Sequence, residues 1–410
     1  MKFVSPRRAR TAVRAAYAGP AARRFLTHGR AGALILGLAA AAAVAVPASA
    51  SASAEAGASP VVGHVYANDN TKGTNTIGAF DEHADGTLTP AAGSPFAAGG
   101  AGTGAGLASQ GALQVSADGR FLIAVDAGSN QVSVLRIRPD GSLRLVSHGA
   151  VSSGGTLPDS VAVFGDLVYV ANSGAGDSNY TGFRLRPDGR LDAIPGSTVS
   201  LVAGAAPGDV LFNGTGTKLV GTEVGTSLID SFTVGPDGRL TAGPGSPFPA
   251  QGAGPFGSEF RPTDPGQLFV SNAHNGAGLG TVSAFADSSN GALTSIGASP
   301  FADDQTAPCW VEISHDGQFL FTVNTGSGNV SSYQIAADGE LTLLGSTTVA
   351  ANGVGAVDAR LSPDGRYLYV DESKIGAVAT FAVNGGSLTQ LASSPTSLPA
   401  GATPAGLVVT

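Results

Sequence analysis

Short apolar runs that end in a polar residue recur along the chain at an interval of about 50 residues. The clearest is residues 366–372, which read Arg-Tyr-Leu-Tyr-Val-Asp-Glu. Similar runs occupy residues 120–126, 166–172, 218–223, 267–272, 318–324 and, more weakly, 63–69. Such runs are typical of buried β-strands. The interval matches one four-stranded blade of a propeller, so the seven runs predict seven blades.

Two turn signals divide each repeat into four strands, a to d. One hairpin precedes the run just described, as at Asp364-Gly365, and a second follows later, as at Asp338-Gly339. Asp-Gly and Asn-Gly pairs suit tight hairpins because both residues tolerate positive φ. Residues 130–135 alternate between polar and apolar, as expected of a third strand. After the N-terminal leader, no stretch has a convincing helical period.

The two ends of the chain complement each other. Strand a often begins after a proline, because proline has no N–H to donate at a strand's first position. Residues 404–410 read as a strand a with nothing after it, whereas residues 61–90 supply strands b, c and d without a strand a. We therefore predict an all-β, seven-bladed β-propeller over residues 61–410, with four antiparallel strands per blade. The first blade is closed by the C-terminal strand.

Residues 1–54 differ in composition from the rest of the chain. They carry eight basic and no acidic residues, an apolar run at 31–47 and small residues before position 55. This order predicts a secretory signal peptide, then a short linker at 55–60, and hence a secreted or extracytoplasmic protein. The apolar run is shorter than the ~20 residues that span a bilayer, so we expect no stable membrane anchor. Arg23-Arg24 leaves both Sec and twin-arginine export open.

Charge and cysteine content narrow the choice of partners. The chain has 22 basic and 30 acidic residues, and the leader takes eight of the basic ones, which leaves 14 against 30 and a formal charge of −16. Such a surface repels nucleic acid and anionic membranes. Cys309 is the only cysteine, so no internal disulfide forms and stability must come from the core. We expect a monomer.

Two strings resemble a known family. Residues 78–80 with 85–89 read Gly-Ala-Phe and Asp-Gly-Thr-Leu-Thr, and residues 361–370 read Leu-Ser-Pro-Asp-Gly-Arg-Tyr-Leu-Tyr-Val. They are similar to the seven-bladed lactonase family, which includes propeller-type 6-phosphogluconolactonases and fungal carboxymuconate cyclases. The resemblance covers the whole chain after the leader. It implies the propeller fold, together with lactone hydrolysis or a lactonising cycloisomerase reaction.

The chain departs from the family at the catalytic positions that the resemblance implies. Catalytic members carry Arg-His after Gly-Pro on a strand a, and a Glu just after the matching strand b. Here Gly254-Pro255 is followed by Phe256-Gly257, and Ala273 replaces the Glu. Lactone chemistry needs a cation for the carboxylate or phosphate and an acid or base at the ring oxygen. We therefore carry over no catalytic residue.

Two sets of positions are expected at the mouth of the channel, where the b–c and d–a loops open. The strand b ends are all carboxylates or amides: Asp69, Asp126, Asn172, Glu223, Asn272, Asn324 and Glu372. The third residues of strand a are Ala112, Ser160, Asp209, Gly257, Trp310, Asp358 and Gly406. Asp and Asn also hold turns. Glu223 and Glu372 reach too far for an Asx turn, which favours ligand contact.

The ligand-binding candidates are Glu223, Glu372, Asp209, Asp358, Asn272, His274 and Trp310. His274 lies in a b–c loop, which fits a ligand contact and also a solvated loop residue. Trp310 is suited to stack on a ligand, and equally to pack in a blade. Carboxylate and amide oxygens are the ligands that Ca²⁺ prefers, so a calcium-stabilised structural propeller is an alternative, although we expect no cofactor.

Three functions compete. We favour a propeller that binds a small-molecule or carbohydrate-like ligand at the channel mouth, because the family's Arg, His and Glu are missing. The second is a lactone hydrolase or cycloisomerase-like enzyme with an altered site, and the third is the calcium-stabilised propeller. The sequence leaves open whether the protein is an enzyme.

Overall fold

The computed structural model describes residues 59–349 and 355–410, which form seven antiparallel sheets arranged as the blades of a propeller. The predicted signal peptide, residues 1–54, lies outside the described residues, as do residues 55–58 of the predicted linker. The predicted all-β fold with seven four-stranded blades is confirmed. No helix among the described residues is long and apolar enough to cross a membrane.

Blades are numbered in chain order. Blade 1 contains β1 (Val61–Asn68), β2 (Thr76–His83), β3 (Leu88–Pro90), β4 (Phe96–Ala97) and the C-terminal β33 (Leu407–Val409). Blade 2 contains β5 (Leu113–Val115), β6 (Phe121–Asp126), the 3-10 helix Ala127–Ser129, β7 (Gln131–Ile137) and β8 (Leu143–Ser152). Blade 3 contains β9 (Pro158–Phe164), β10 (Leu167–Asn172), β11 (Asn179–Leu185), β12 (Leu191–Ala193) and β13 (Val199–Ser200).

Blade 4 contains β14 (Pro207–Phe212), β15 (Lys218–Glu223), β16 (Leu228–Val234), β17 (Leu240–Ala242) and β18 (Phe248–Pro249). Blade 5 contains β19 (Pro255–Arg261), β20 (Asp264–Asn272), β21 (Thr281–Asp287), β22 (Leu293–Ser295) and β23 (Phe301–Ala302). Blade 6 contains β24 (Pro308–Ile313), β25 (Phe319–Asn324), β26 (Asn329–Ile335) and β27 (Leu341–Thr348). Blade 7 contains β28 (Ala356–Leu361), β29 (Tyr367–Glu372), β30 (Ala377–Asn384), β31 (Ser387–Gln390) and β32 (Thr396–Ser397).

The outer strand d is split into two short strands in blades 1, 3, 4, 5 and 7. A serine hydroxyl fills the gap and accepts the strand c amide that the interrupted ladder leaves free. In blade 1 the amide of Ala79 donates to Ser94 Oγ (2.9 Å), and in blade 4 the amide of Ser231 donates to Ser246 Oγ (2.9 Å). The split therefore leaves the sheet's hydrogen bonding intact at these points.

The two chain ends close the ring as predicted. β33 pairs antiparallel with β1, with Val65 opposite Val409 and Ala67 opposite Leu407. The amide of His64 donates to the carbonyl of Thr410 (3.1 Å), which extends the pairing to the last residue. The C-terminal strand is therefore strand a of blade 1, and the prediction that residues 404–410 pair with the strand around Val65 is confirmed.

The core lies between adjacent blades. Strand b is apolar on both faces because each face packs against a neighbouring sheet; all six residues of β6 are buried. Tyrosines on strand b also reach the next blade: Tyr66 donates its hydroxyl to the carbonyl of Gly141 (2.9 Å) and Tyr169 to that of Gly238 (2.7 Å). The strand a segments contact one another around the ring and line the central channel.

Candidate functional site

The two predicted sets of positions lie at one face of the ring. Strand b ends where strand a begins, so Asn172 is opposite Pro158, Glu223 opposite Pro207 and Glu372 opposite Ala356. The same pairing brings the d–a and b–c loops to this face. The mouth therefore lies where the sequence places it, and the contacts of each side chain decide which residues are available to a ligand.

The amides at the strand b ends hold their own b–c loops. Asn272 is fully buried, and its Nδ2 donates to Thr281 Oγ1 (3.0 Å) and to Ser283 Oγ (2.9 Å) on strand c. Asn324 does the same in blade 6, with Asn329 and Ser331. These contacts use both amide hydrogens of Asn272, and only its buried Oδ1 has no partner.

Glu223 and Glu372 are both nearly fully buried. Glu223 accepts a hydrogen bond from Thr226 and lies beside Asp230, whose pKa is raised to about 7 by burial and by the charge of Glu223. Tyr180 of blade 3 donates to Asp230 Oδ2 (3.2 Å), so Glu223 belongs to an acid pair at the boundary of blades 3 and 4. Burial raises the pKa of Glu372 to about 7, and its Oε1 has no partner.

Asp209 and Asp358 bridge strand a segments of neighbouring blades. Asp209 Oδ2 accepts from the amide (3.0 Å) and hydroxyl (2.6 Å) of Ser258, and its Oδ1 accepts from Ser160 Oγ (3.2 Å). Asp358 Oδ2 accepts from the amides of Gly111 and Leu407, each at 3.3 Å. Burial raises the pKa of Asp209 to about 7 despite these bonds. The third position of strand a thus links blades.

A segment that the sequence analysis did not assign to the site crosses the channel. Residues 109–111, here called the plug, precede β5, and Gln110 reaches blades 4, 5 and 6. Its amide donates to the carbonyl of Gly208 (2.8 Å), its Nε2 to that of Ser258 (2.9 Å), and its Oε1 accepts from the amide of Val311 (2.9 Å). The Gln110 side chain occupies the space beside Gly257, the residue of strand a in blade 5 that has no side chain.

The Gln110 side chain of the plug fits only because residue 257 is a glycine. A Cβ at Gly257 would lie 2.1 Å from Gln110 Oε1, so only glycine leaves room for this amide. Trp310 Nε1 donates to the carbonyl of Ser109 (3.0 Å), and the ring packs against Phe256 with centroids 5.2 Å apart. Trp310 is 4% exposed, so its ring stacks within the protein. The position that would hold the family's Arg-His pair is therefore filled.

Arg360, a cation in strand a of blade 7, is already paired with carboxylates. Arg360 lies two residues farther along strand a than Asp358, away from the mouth. Its Nη1 is 3.0 Å from Glu312 Oε2 and 3.9 Å from Asp358 Oδ1. Nη1 of this guanidinium is held by carboxylates of the channel wall, so Arg360 does not replace the missing arginine at the mouth.

His274 is exposed on the b–c loop of blade 5. Its backbone amide donates to the carbonyl of Ala253 (2.9 Å), and its ring lies against Gly254. This placement is that of a solvated loop residue, and ligand binding by His274 stays a prediction. In the part of the chain that the structure describes, no three His, Cys, Asp or Glu side chains are grouped to hold a metal ion.

An open cavity of about 420 Å³ lies at the mouth over blades 3 and 4. Residues 103–108, here called the strap, form one wall, and the opposite wall includes Leu157, Pro207 and Val224. The strap is anchored to blade 1, where the amide of Thr103 donates to Asn70 Oδ1 (2.8 Å). The lining is mainly apolar.

Asp159 is the acidic residue of this cavity, and sequence analysis did not select it. It is 3% exposed, lines the cavity, and its Oδ1 has no hydrogen-bond partner. Burial raises its pKa well above the usual range, and the charge of Asp209 adds to the effect. Asp159 is the second residue of strand a, a position held by Gly208, Phe256, Cys309 and Val357 in blades 4 to 7. Among blades 3 to 7, an acid at this position in blade 3 alone was the feature of the sequence that could have identified Asp159.

Comparison with known proteins identifies the fold. The model of a family described as lactonase, 7-bladed beta-propeller matches residues 63–197 and 260–405. The stretch between these ranges contains blade 4 and Phe256-Gly257. No curated protein sequence matches the chain.

Several solved structures are similar over most of the chain. A candidate 6-phosphogluconolactonase of Bacteroides fragilis is 21% identical, with 85% of this chain and 98% of that one covered and a TM-score of 0.68. The periplasmic gluconolactonase of Pseudomonas aeruginosa is 18% identical, with 85% and 99% covered and a TM-score of 0.68. A protein of Lactobacillus plantarum is 19% identical, with the same coverage and TM-score. At these identities the likeness concerns the fold alone.

Proposed function

Because the chain belongs to the family of seven-bladed β-propeller lactonases, we propose that it is an exported member that binds a small molecule at the channel mouth and does not hydrolyse sugar lactones. The observation that carries this proposal is Gln110. It occupies the space beside Phe256-Gly257, where the resemblance places the catalytic Arg-His pair.

The residues that fill the mouth beside strand a of blade 5 support a non-catalytic role. Phe256 carries neither charge nor exchangeable proton, and Gly257 has no side chain. The Gln110 amide is neutral and already bonded to Ser258 and Val311. This side therefore offers no cation to hold a carboxylate or phosphate and no acid or base for the ring oxygen.

Export and charge bear on the ligand. The basic and apolar leader in residues 1–54 supports secretion, which takes the protein away from cytosolic sugar phosphates. The formal charge of −16 after that leader disfavours anions at the surface. An uncharged small-molecule or carbohydrate-like ligand fits both properties. Fractionation of cells that produce the full chain would test export: retention in the cytoplasm contradicts it.

The alternative is a lactone hydrolase or cycloisomerase-like enzyme with an altered site. Asp159 favours this alternative, because burial raises the pKa of its carboxyl well above the usual range, and a carboxyl that holds its proton more tightly is able to act as a general acid. If so, catalysis takes place over blades 3 and 4, next to the position of the lost Arg-His pair on blade 5.

A hydrolysis assay separates the two functions. We expect 6-phosphogluconolactone and glucono-δ-lactone to open no faster with the protein than in buffer, after subtraction of the spontaneous rate. A clear turnover that is abolished by Glu223→Ala, Glu372→Ala or Asp159→Asn would support the enzyme instead. Asp304→Asn is the control, since Asp304 is exposed on the loop that leads into blade 6.

A further inference from the structure

We propose that the cavity between the strap and blades 3 and 4 binds an uncharged, mainly apolar molecule that carries one carbonyl group, and that the carboxyl of Asp159 donates a hydrogen bond to that carbonyl. This inference rests on the proposed function and gives it a location and a class of ligand. It is carried by Asp159, a buried carboxyl that lines an apolar cavity and has one oxygen, Oδ1, without a hydrogen-bond partner.

The size and lining of the cavity suit a small ligand. Its volume of about 420 Å³ lies within the range of roughly 300–1,000 Å³ typical of ligand sites. Leu107 and Val224 both line it, and Leu157 lines it while 38% exposed. An apolar molecule seated here would cover this exposed leucine, and each Å² removed from water contributes about 25 cal/mol.

Asp159 provides the polar contact. A buried polar atom without a partner costs about 1–3 kcal/mol, so the native structure gains when a ligand supplies the missing bond. The Ser173 hydroxyl donates to the carbonyl of Leu157 (3.1 Å), and Asp159 Oδ1 has no partner. A carboxyl that keeps its proton offers one O–H donor, and a carbonyl oxygen accepts it.

The same surroundings exclude anions. Among the residues that the structure describes, no lysine, arginine or histidine lines the cavity. Asp209 is close enough to Asp159 for the two charges to interact. A carboxylate or phosphate would enter a low-dielectric site without a counter-charge, which is strongly unfavourable. The site therefore differs from one built for a sugar phosphate.

Three naphthalene probes test the inference. Prodan is uncharged and carries one ketone, N,N-dimethyl-2-naphthylamine lacks the ketone, and 1-anilinonaphthalene-8-sulfonate is anionic. With the purified full chain, we expect saturable binding of prodan at one site, followed by fluorescence. Binding of the amine should be at least tenfold weaker, and the sulfonate should not displace prodan.

Substitutions test whether prodan binds in this cavity. Asp159→Asn keeps a donor and should change prodan affinity less than threefold, whereas Asp159→Leu should weaken it at least tenfold, to the level of the amine. Ala108→Trp should abolish binding of both uncharged probes, because the exposed Ala108 lines the cavity and a tryptophan there fills it. Ala175→Trp, on an exposed loop residue of blade 3 outside the lining, should leave prodan binding unchanged. Melting curves confirm that each variant is folded.

Several results would overturn the inference. Wild-type protein that binds no prodan, prodan binding that survives both Asp159→Leu and Ala108→Trp, or equal affinity for the sulfonate would each do so. The proposed function fails by a different measurement, a lactone turnover above the buffer rate. The two failures are therefore distinguishable.

Discussion

The two sides of the channel mouth are built from the same repeat and differ in whether they are filled. Over blades 5 and 6, Phe256 packs on Trp310 and Gln110 satisfies the backbone groups beside Gly257. Over blades 3 and 4, the mouth keeps an open cavity and Asp159 retains an unpaired oxygen. Function is therefore expected on the side that combines an open cavity with a buried carboxyl group in its lining.

Two acids on neighbouring blades show the difference on the scale of single residues. Asp209, at the third position of strand a, accepts bonds from Ser258 and Ser160. Asp159, at the second position, lines the cavity and has one oxygen without a partner. Because successive residues of a strand point to opposite faces, a shift of one position separates a bond between blades from a ligand contact.

Opening the ring should have the largest effect, because both sides of the mouth need it closed. Asp358 Oδ2 holds the amide of Leu407 in the C-terminal strand and that of Gly111 in the plug. Deleting residues 404–410 exposes the edge of β1 and removes this link. We expect the single cooperative melting transition to be lost or greatly broadened. A truncated chain that melts like the full one would contradict ring closure as a source of stability.

The filled side is tested by a double-mutant cycle on Gln110 and Gly257. Gln110→Ala leaves the Val311 amide and the Ser258 carbonyl unpaired and should lower the free energy of unfolding by about 2–4 kcal/mol. Gly257→Ser should also destabilise, because its Cβ meets Gln110 Oε1 and, less closely, the carbonyl oxygen of Cys309. In the double variant the serine hydroxyl is able to accept the Val311 amide, as Ser160 Oγ accepts that of Val210.

We therefore expect the double variant to lose at least about 1 kcal/mol less than the sum of the two single losses. Urea unfolding gives all four free energies. Additive losses would mean that Gln110 does not substitute for the missing side chain of Gly257.

Asp209 and Asp159 should respond to substitution in opposite directions. Asp209→Ala removes the acceptor of Ser258 and Ser160 and should cost about 2–3 kcal/mol of unfolding free energy. Asp159→Leu replaces an unpaired buried carboxyl by an apolar group of similar size and should gain about 1–2 kcal/mol at pH 7. Unfolding in urea without ligand measures both. A loss in Asp159→Leu as large as that in Asp209→Ala would show that Asp159 is structural.

Blade number, ring closure and the face of the mouth could be predicted from sequence because they depend on local signals. Turn residues, apolar runs and the proline before strand a each act within a few neighbours, and the repeat reinforces them. Ring closure could be predicted because residues 61–90 lack a strand a and residues 404–410 supply one. The mouth followed from strand direction alone, since strand b ends where strand a starts.

The filled and open sides could not be predicted, because they depend on contacts distant in sequence. Gln110 meets Ser258 and Val311, residues about 150 and 200 positions away. Whether Trp310 faces a ligand or the plug depends on the path of residues 109–111 across the channel, and the sequence repeat does not indicate that path. The third position of strand a attracted attention because it is polar in three blades, whereas the cavity uses the second.

Acidic pH should stabilise the protein, in part through the acids of blades 3 and 4. Burial raises the pKa of Asp209 and of Asp230 to about 7 and that of Asp159 well above its usual range. The native state then binds more protons than the unfolded state between about pH 4 and 7, so stability is full below the unfolded pKa and falls as pH rises through the folded one.

The melting temperature should accordingly rise by several degrees from pH 8 to pH 5. Asp159→Leu should flatten this dependence, whereas Asp188→Asn should not, because Asp188 is exposed and its pKa is lowered by its bonds to Arg190. A melting temperature that falls steadily over this window would show that these acids are ionised and paired in the native state.

Calcium should have the smallest effect, and this prediction distinguishes an uncharged ligand from a cation on the open side. Asp159 Oδ1 and Glu223 Oε1 are both unpaired near blades 3 and 4, and a single divalent ion that used them would bind the native state alone. At a hundredfold excess over Kd it would add about 2.7 kcal/mol to the free energy of unfolding.

Ca²⁺ requires six to eight oxygens at roughly 2.3–2.6 Å, and the described residues contain no group of three acids placed for one ion. We therefore expect melting curves in EDTA, calcium and magnesium to agree at equal ionic strength, since screening does not distinguish the two cations. A rise of several degrees unique to calcium and lost in Glu223→Gln would replace the uncharged ligand by a cation site.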